Sequence, residues 1–214
     1  MEKNNSSGYY DDMDVEVEML LKNGMVEEVF YLKDLKQRKL FLSEDICQET
    51  VEDAVRHIMQ FNREDAEIPP EERKPILLYL NSNGGDVDAG FMLIDIILAS
   101  KTPVYTINLG YQYSMGFLIG LAGHKRYATI NAKFLHHDGT NVVVNSGAKV
   151  KDQMKFQDKV EARIKEYVLS RTQITPAEYD KRLRQEWYLF AADAKKYGMV
   201  DFIVREDCSI DAIV

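Results

Sequence analysis

The chain has 214 residues, of which 45% are hydrophobic, 10% aromatic and 29% charged, with a formal net charge of −8. That length suits one folded domain with a projecting element, and the acidic balance argues against nucleic acid as a partner, because phosphate binding depends on Lys and Arg. No run approaches the roughly 20 apolar residues of a membrane helix, the polar start MEKNNSSGYYDDMD does not read as a signal peptide, and two isolated cysteines, Cys47 and Cys208, fit a reducing, cytoplasmic setting without metal.

Residues 1–14 are rich in Asn, Ser, Gly and Asp and are expected to be mobile. Val15–Leu20 alternates, Lys22-Asn23-Gly24 offers a turn and Val26–Tyr31 follows, which reads as a hairpin. Lys39–Leu42 is a short strand, and the apolar spacing of Val51, Ala54, Val55, Ile58, Met59 and Phe61 is that of a helix over 47–62. The prolines of 67–74 make a loop. Ile76–Leu80 is a continuous apolar run suited to a strand buried on both faces, followed by Asn81-Ser82-Asn83-Gly84-Gly85 and a helix over 87–99. Val104–Leu109 repeats the pattern, ending in Gly110 before a small-residue helix near 113–122. Strand, glycine turn and helix, twice over, predict an α/β domain with a largely parallel sheet, its active site beyond the carboxyl ends of the strands. Lys133–His137 and 141–144 read as further strands, and 148–170 as a long charged helix that projects toward another subunit. Thr175-Pro176-Ala177-Glu178 is a helix start, 191–197 a short helix closed by Gly198, and Val200–Val204 completes the sheet.

Ser114, in Gly110-Tyr111-Gln112-Tyr113-Ser114-Met115-Gly116, stands on a strand-to-helix turn, where a helix N-terminus offers N–H groups to an oxyanion. Taken alone, the same serine reads more readily as a simple helix cap, since serine is a common one. Gly84-Gly85 lets backbone approach a ligand closely, yet without GxGxxG or a Walker lysine it does not read as a nucleotide site. His136-His137 ends a strand, so the two rings face opposite sides and at most one can point at Ser114.

Together, Leu78–Gly85 with Ala89-Gly90, Tyr113–Gly116, the strand to His137, and Ala191–Asp201 carry a resemblance. Over roughly Arg38–Arg205 the sequence resembles the Clp protease proteolytic subunit (ClpP) family of the crotonase-like superfamily. The resemblance implies an α/β, crotonase-like fold with largely parallel sheets, flanking helices and a protruding handle helix. By position it divides the chain into an N-terminal mobile segment and axial hairpin at 1–36 and a peptidase domain at 37–214, with the handle at about 139–172. It implies Ser114 as nucleophile, His137 as general base and Glu186 as third triad member, the backbone N–H groups of Gly85 and Met115 as the oxyanion hole, and no cofactor or metal. The implied function is that of a serine endopeptidase subunit in two stacked heptameric rings, a tetradecamer, homomeric or mixed with a paralogue. An AAA+ unfoldase would feed it unfolded polypeptides, docking on an apolar groove at Tyr79, Ile107, Leu109 and Tyr127.

Three features depart from that pattern. Asn83 stands where the family has proline, Glu186 where it has aspartate, and Ala99 and Thr129 where its docking groove is larger or more apolar. A weakly active or inactive structural subunit of a mixed ring is therefore the alternative reading. An acyl-CoA enzyme of the same superfamily needs the oxyanion hole but not a Ser-His pair, which Ser114 and His137 disfavour.

Overall fold

The computed structural model of the protein describes residues 20, 22–139 and 142–214. Its core is a five-stranded sheet ordered β1 (Lys39–Leu42), β2 (Ile76–Leu80), β3 (Val104–Asn108), β5 (Lys125–Ala128) and β8 (Phe202–Ile203), with every neighbouring pair parallel. A second sheet joins β4 (Tyr111–Tyr113) in parallel to β6 (Lys133–His136), and β6 antiparallel to β7 (Trp187–Phe190).

All of β2 is buried, as its unbroken apolar run requires, and its period of two divides the side chains between two layers. Ile76, Leu78 and Leu80 join the main core with Val51, Ile58 and Phe61 of α2 (Gln48–Glu64) and Leu93, Ile94 and Ile97 of α3 (Val87–Ala99). Each fully buried aliphatic side chain there contributes about 2–3 kcal/mol. Leu77 and Tyr79 face the other way, into a smaller cluster with Ile107, Tyr127, Val204 and Ile213. At the rim, Arg38 grips the buried Asp65 with both guanidinium nitrogens at 2.6 Å, and Thr102 donates to the same carboxylate at 2.9 Å.

Of the hairpin expected over 15–31, the second strand is not formed. Val26–Lys36 is a helix, α1, and the first strand expected, 15–20, lies outside the described residues except for Leu20. The apolar residues Val29, Leu32 and Leu35 recur every third position and pack inward, while Glu27 and Glu28 in the first turn and Lys33 and Lys36 in the last suit the helix dipole. The strand expected at 141–144 is also absent over 142–144, where the backbone is irregular and Val144 is 89% exposed. A strand needs a neighbour for its N–H and C=O groups, and among the described residues no strand pairs with this segment.

The long helix α5 (Gly147–Arg171) has 25 residues, a span of roughly 37 Å. Only Tyr167 and Val168, near its end, are buried, so most of it projects. Short helices α4 (Met115–Leu121), α6 (Pro176–Arg182) and α7 (Ala191–Lys196) complete the fold. Thr175 caps α6 as its sequence predicts, accepting from Glu178 N–H at 3.2 Å.

Candidate active site

Ser114 connects β4 to α4 with φ +52° and ψ −120°, and its side chain makes no capping hydrogen bond. A non-glycine residue held there costs on the order of 1–3 kcal/mol. The bare cap reading thus loses its physical basis, because the serine gives α4 nothing in return for the strain. Its N–H donates to Leu135 O at 2.9 Å, and Tyr113 pairs with Leu135 in the β4–β6 register, so Ser114 and the histidines emerge together at one end of the small sheet.

The glycine turn packs directly on this point. Gly84 has φ +103°, and a Cβ there would lie 2.7 Å from Ser114 Cβ and 2.8 Å from Met115 N. Gly85, at φ +148°, is bridged to Ile46, but the bridge uses Gly84 O and Asp86 N–H, at 2.8 and 2.7 Å. The Gly85 N–H therefore lies outside the ladder. Met115 is the first residue of α4, whose N–H has no intrahelical acceptor. Among the described residues both amides expected to hold an oxyanion are thus spare, and both lie close to the serine turn. Ser82 braces the turn: its Oγ accepts from Gly84 N–H at 3.1 Å, its O from Tyr113 N–H at 2.9 Å, and its N–H donates to Tyr111 O at 3.2 Å. Those bonds fix the backbone despite Asn83 in place of proline.

At the end of β6, alternation of side chains separates His136 from His137, the residue just beyond it. His136 is 3% exposed among Phe117 and Tyr179, its Nε2 has no partner, and burial pushes its pKa down to about 4. His137 is half-buried, and its Nδ1 lies 2.9 Å from Glu186 Oε1. The antiparallel register explains the meeting: His136 pairs with Trp187, so His137 and Glu186 face each other one step further along. No hydrogen bond joins Ser114 Oγ to His137 among the described residues; such pairs often tighten only around substrate. Beside them, Tyr188 meets Tyr113 edge-to-face, with centroids 5.8 Å apart.

Beside Gly85 a groove of about 680 Å³ runs between the start of α3 and α5, lined by Asp86, Asp88, Val142, Asp152 and Phe156 among others. Among the described residues, no group of three or more His, Cys, Asp or Glu side chains could hold a metal ion, and no helix is long and apolar enough to cross a membrane.

The four residues expected to form a docking groove lie together at the outer face of the large sheet, but three are covered. Tyr79, Ile107 and Tyr127 are buried beneath Val204, Ala212 and Ile213, and only Leu109 is exposed. Asn81 and Ser82 stand in the glycine-turn motif and Asn108 near the end of the next strand, but the sequence alone assigns their side chains no role. Asn81 Oδ1 accepts from Tyr111 N–H at 2.9 Å and Asn108 Nδ2 donates to Lys133 O at 2.9 Å, so both side chains tie one sheet to the other. Their signal was present: a polar residue closing each apolar strand.

Comparison with known proteins agrees with this geometry. The Clp protease family model matches residues 23–207. The chain is 30% identical over 182 residues to "ATP-dependent Clp protease proteolytic subunit 2" of Treponema pallidum, covering 84% of this chain and 88% of that protein. It is 28% identical to the protein of the same name from Treponema denticola, over 84% and 88% of the two chains, and 28% identical to "ATP-dependent Clp protease proteolytic subunit 1" of Bacillus cereus, over 82% and 89%. With the parallel sheet, the strained serine turn and the spare amides in place, the chain belongs to the Clp protease family.

Proposed function

We propose that the protein is a serine endopeptidase subunit that cleaves unfolded polypeptides by acyl transfer, with Ser114, His137 and Glu186 as its triad. The observation that carries this reading is the 2.9 Å contact between His137 Nδ1 and Glu186 Oε1, made across an antiparallel ladder by residues 49 positions apart. A carboxylate on Nδ1 keeps that nitrogen protonated and leaves Nε2 free to accept a proton.

Ser114 Oγ attacks the peptide carbonyl carbon while His137 Nε2 takes its proton. The carbonyl oxygen becomes an oxyanion, held by the N–H groups of Gly85 and Met115; each such donor contributes about 3 kcal/mol to the transition state. Collapse breaks the C–N bond, and His137 returns its proton to the leaving amine. Water, deprotonated by the same imidazole, then releases the acyl group from Ser114. The groove at Gly85, between α3 and the projecting α5, supports an extended chain as substrate.

By family, the subunit works in the cytoplasm in two stacked seven-membered rings, homomeric or mixed with a paralogue, and receives substrate from an AAA+ unfoldase that docks on the Tyr79–Leu109 face. The missing Ser114–His137 hydrogen bond favours a second reading, a structural subunit of a mixed ring that cleaves poorly. A fluorophosphonate probe separates the two: the assembled protein is expected to label at Ser114 and the Ser114→Ala variant not at all. Assembled wild-type rings that stay unlabelled would leave the structural subunit as the better reading.

A further inference from the structure

The large sheet has an aromatic outer face: Phe41 stacks on Tyr79 at 4.5 Å and Tyr127 on Phe202 at 5.1 Å, with Tyr105 a further 5.8 Å from Tyr127. Helices cover the opposite face, whereas this one is covered only in part, by the chain's own residues 204–213. After β8 the chain reverses at Arg205, which has φ +79°, with Arg205 N–H bonded to Cys208 O at 2.8 Å and Ile203 N–H to Asp207 Oδ2 at 2.6 Å. Ser209 then caps a single helical turn, accepting from Asp211 N–H at 2.9 Å. That turn delivers Ile213, only 3% exposed, into the cluster of Leu77, Tyr79, Ile107 and Tyr127. The Tyr79 hydroxyl donates to Ile213 O.

We infer that residues 209–213 occupy in cis the surface on which a partner's apolar loop binds, and must be displaced before that partner docks. The inference rests on the unfoldase-docking reading above and deepens it. The occupant on the structure defines the ligand: an aliphatic side chain presented by a short turn, with the carbonyl beside it accepting from Tyr79. The cover is suited to removal. It is one turn of helix, Ile210 on it and Val214 just after it are exposed, and among the described residues a single side-chain hydrogen bond ties it to the sheet. Phe41 and Leu109 remain exposed at its edge, an apolar foothold for an incoming loop. The cover's backbone acceptor and aliphatic tip are what a competing loop would reproduce.

The test uses a fluorescein-labelled peptide of this chain's own residues 209–214, Ser-Ile-Asp-Ala-Ile-Val, added to the full-length protein and followed by anisotropy. In the parent protein the cis segment is expected to exclude it. In Ile213→Asp, whose own cover no longer seats, the peptide should bind saturably and at least tenfold tighter than to the parent. Tyr79→Phe in that background should weaken binding severalfold, and a peptide with Asp at its second isoleucine should not compete. Equal binding to parent and Ile213→Asp, or binding insensitive to Tyr79, overturns the inference. So does concentration-dependent self-association of Ile213→Asp without peptide binding, which would assign the face to a second copy. Should Ile213→Asp lose its cooperative melt, Ile213→Ala takes its place in the same comparison. The measurement does not involve Ser114, so its failure leaves the acyl-transfer reading intact, and unlabelled Ser114 would leave this result intact.

Discussion

A glutamate opposite an imaginary aspartate position is one methylene too long unless its backbone or rotamer gives way. Here Glu186 lies just outside β7, and its exposed side chain reaches His137 from the solvent side. Glu186→Gln keeps that reach but cannot hold the Nδ1–H tautomer, so peptidase kcat should fall by about 10³–10⁴ with KM little changed. Steady-state cleavage of a fluorogenic peptide checks this; an unchanged kcat would mean that Glu186 is only a surface carboxylate. The neighbouring histidine governs stability instead. His136 has a folded pKa of about 4 against 6.5 for the free side chain, because burial disfavours its charged form. The unfolded chain therefore binds more protons between those values, and stability rises with pH. The contribution is complete above pH 6.5 and is lost as pH falls toward 4, on the order of 3 kcal/mol in all. His136→Phe, placed between Phe117 and Tyr179, should flatten that part of a plot of urea midpoint against pH, and an undiminished slope would assign it to other groups.

At the scale of elements, the candidate site lies where the two small-sheet junctions meet the glycine turn. The β4–β6 register sets Ser114 beside the histidine strand, the β6–β7 register sets Glu186 opposite His137, and the Gly84-Gly85 turn packs against Ser114 and Met115. Gly84 has little freedom to vary, being at φ +103° with Ser114 Cβ and Met115 N less than 3 Å from where its own Cβ would stand. Gly84→Ala should destabilise the fold by about 2–4 kcal/mol through strain and overpacking. It should abolish Ser114 labelling even at temperatures where the variant stays folded. Thermal melts run alongside probe labelling separate the two effects, and a folded, fully labelled Gly84→Ala would show that the turn does not shape the site.

For the whole molecule, the features left unsatisfied in one chain point outward. Val142 and Val144 form no ladder, and Phe156 on α5 is 66% exposed. Burying such a phenylalanine against a second ring would contribute about 2–3 kcal/mol. Phe156→Asp should therefore weaken association between the proposed rings by 10-fold or more without lowering the melting temperature of the dissociated subunit. Sedimentation velocity across a concentration series reads this directly, and an unaltered distribution would place the ring contact elsewhere.

Elements with a strong period were legible in the amino-acid sequence. β2, α2 and α3 fall within two residues of expectation, because Ile76–Leu80, the Val51–Phe61 spacing and Val87–Ala99 each have one consistent burial pattern. The family pattern also points to Ser114, His137 and Glu186 as candidates. Residues 26–36 misled because Val26 and Val29–Phe30 suit either period locally, and only contact with the core chooses the helix. Short β4, β5 and β7 were not foreseen, since strands of three or four residues are defined by their partners rather than by themselves. The same reason accounts for what only the tertiary structure decided: that Glu186 reaches His137, that His136 is buried neutral, and that residues 209–213 cover the aromatic face. Local side-chain chemistry is written residue by residue, whereas a distance between positions far apart in the chain exists only once the sheets have set their register.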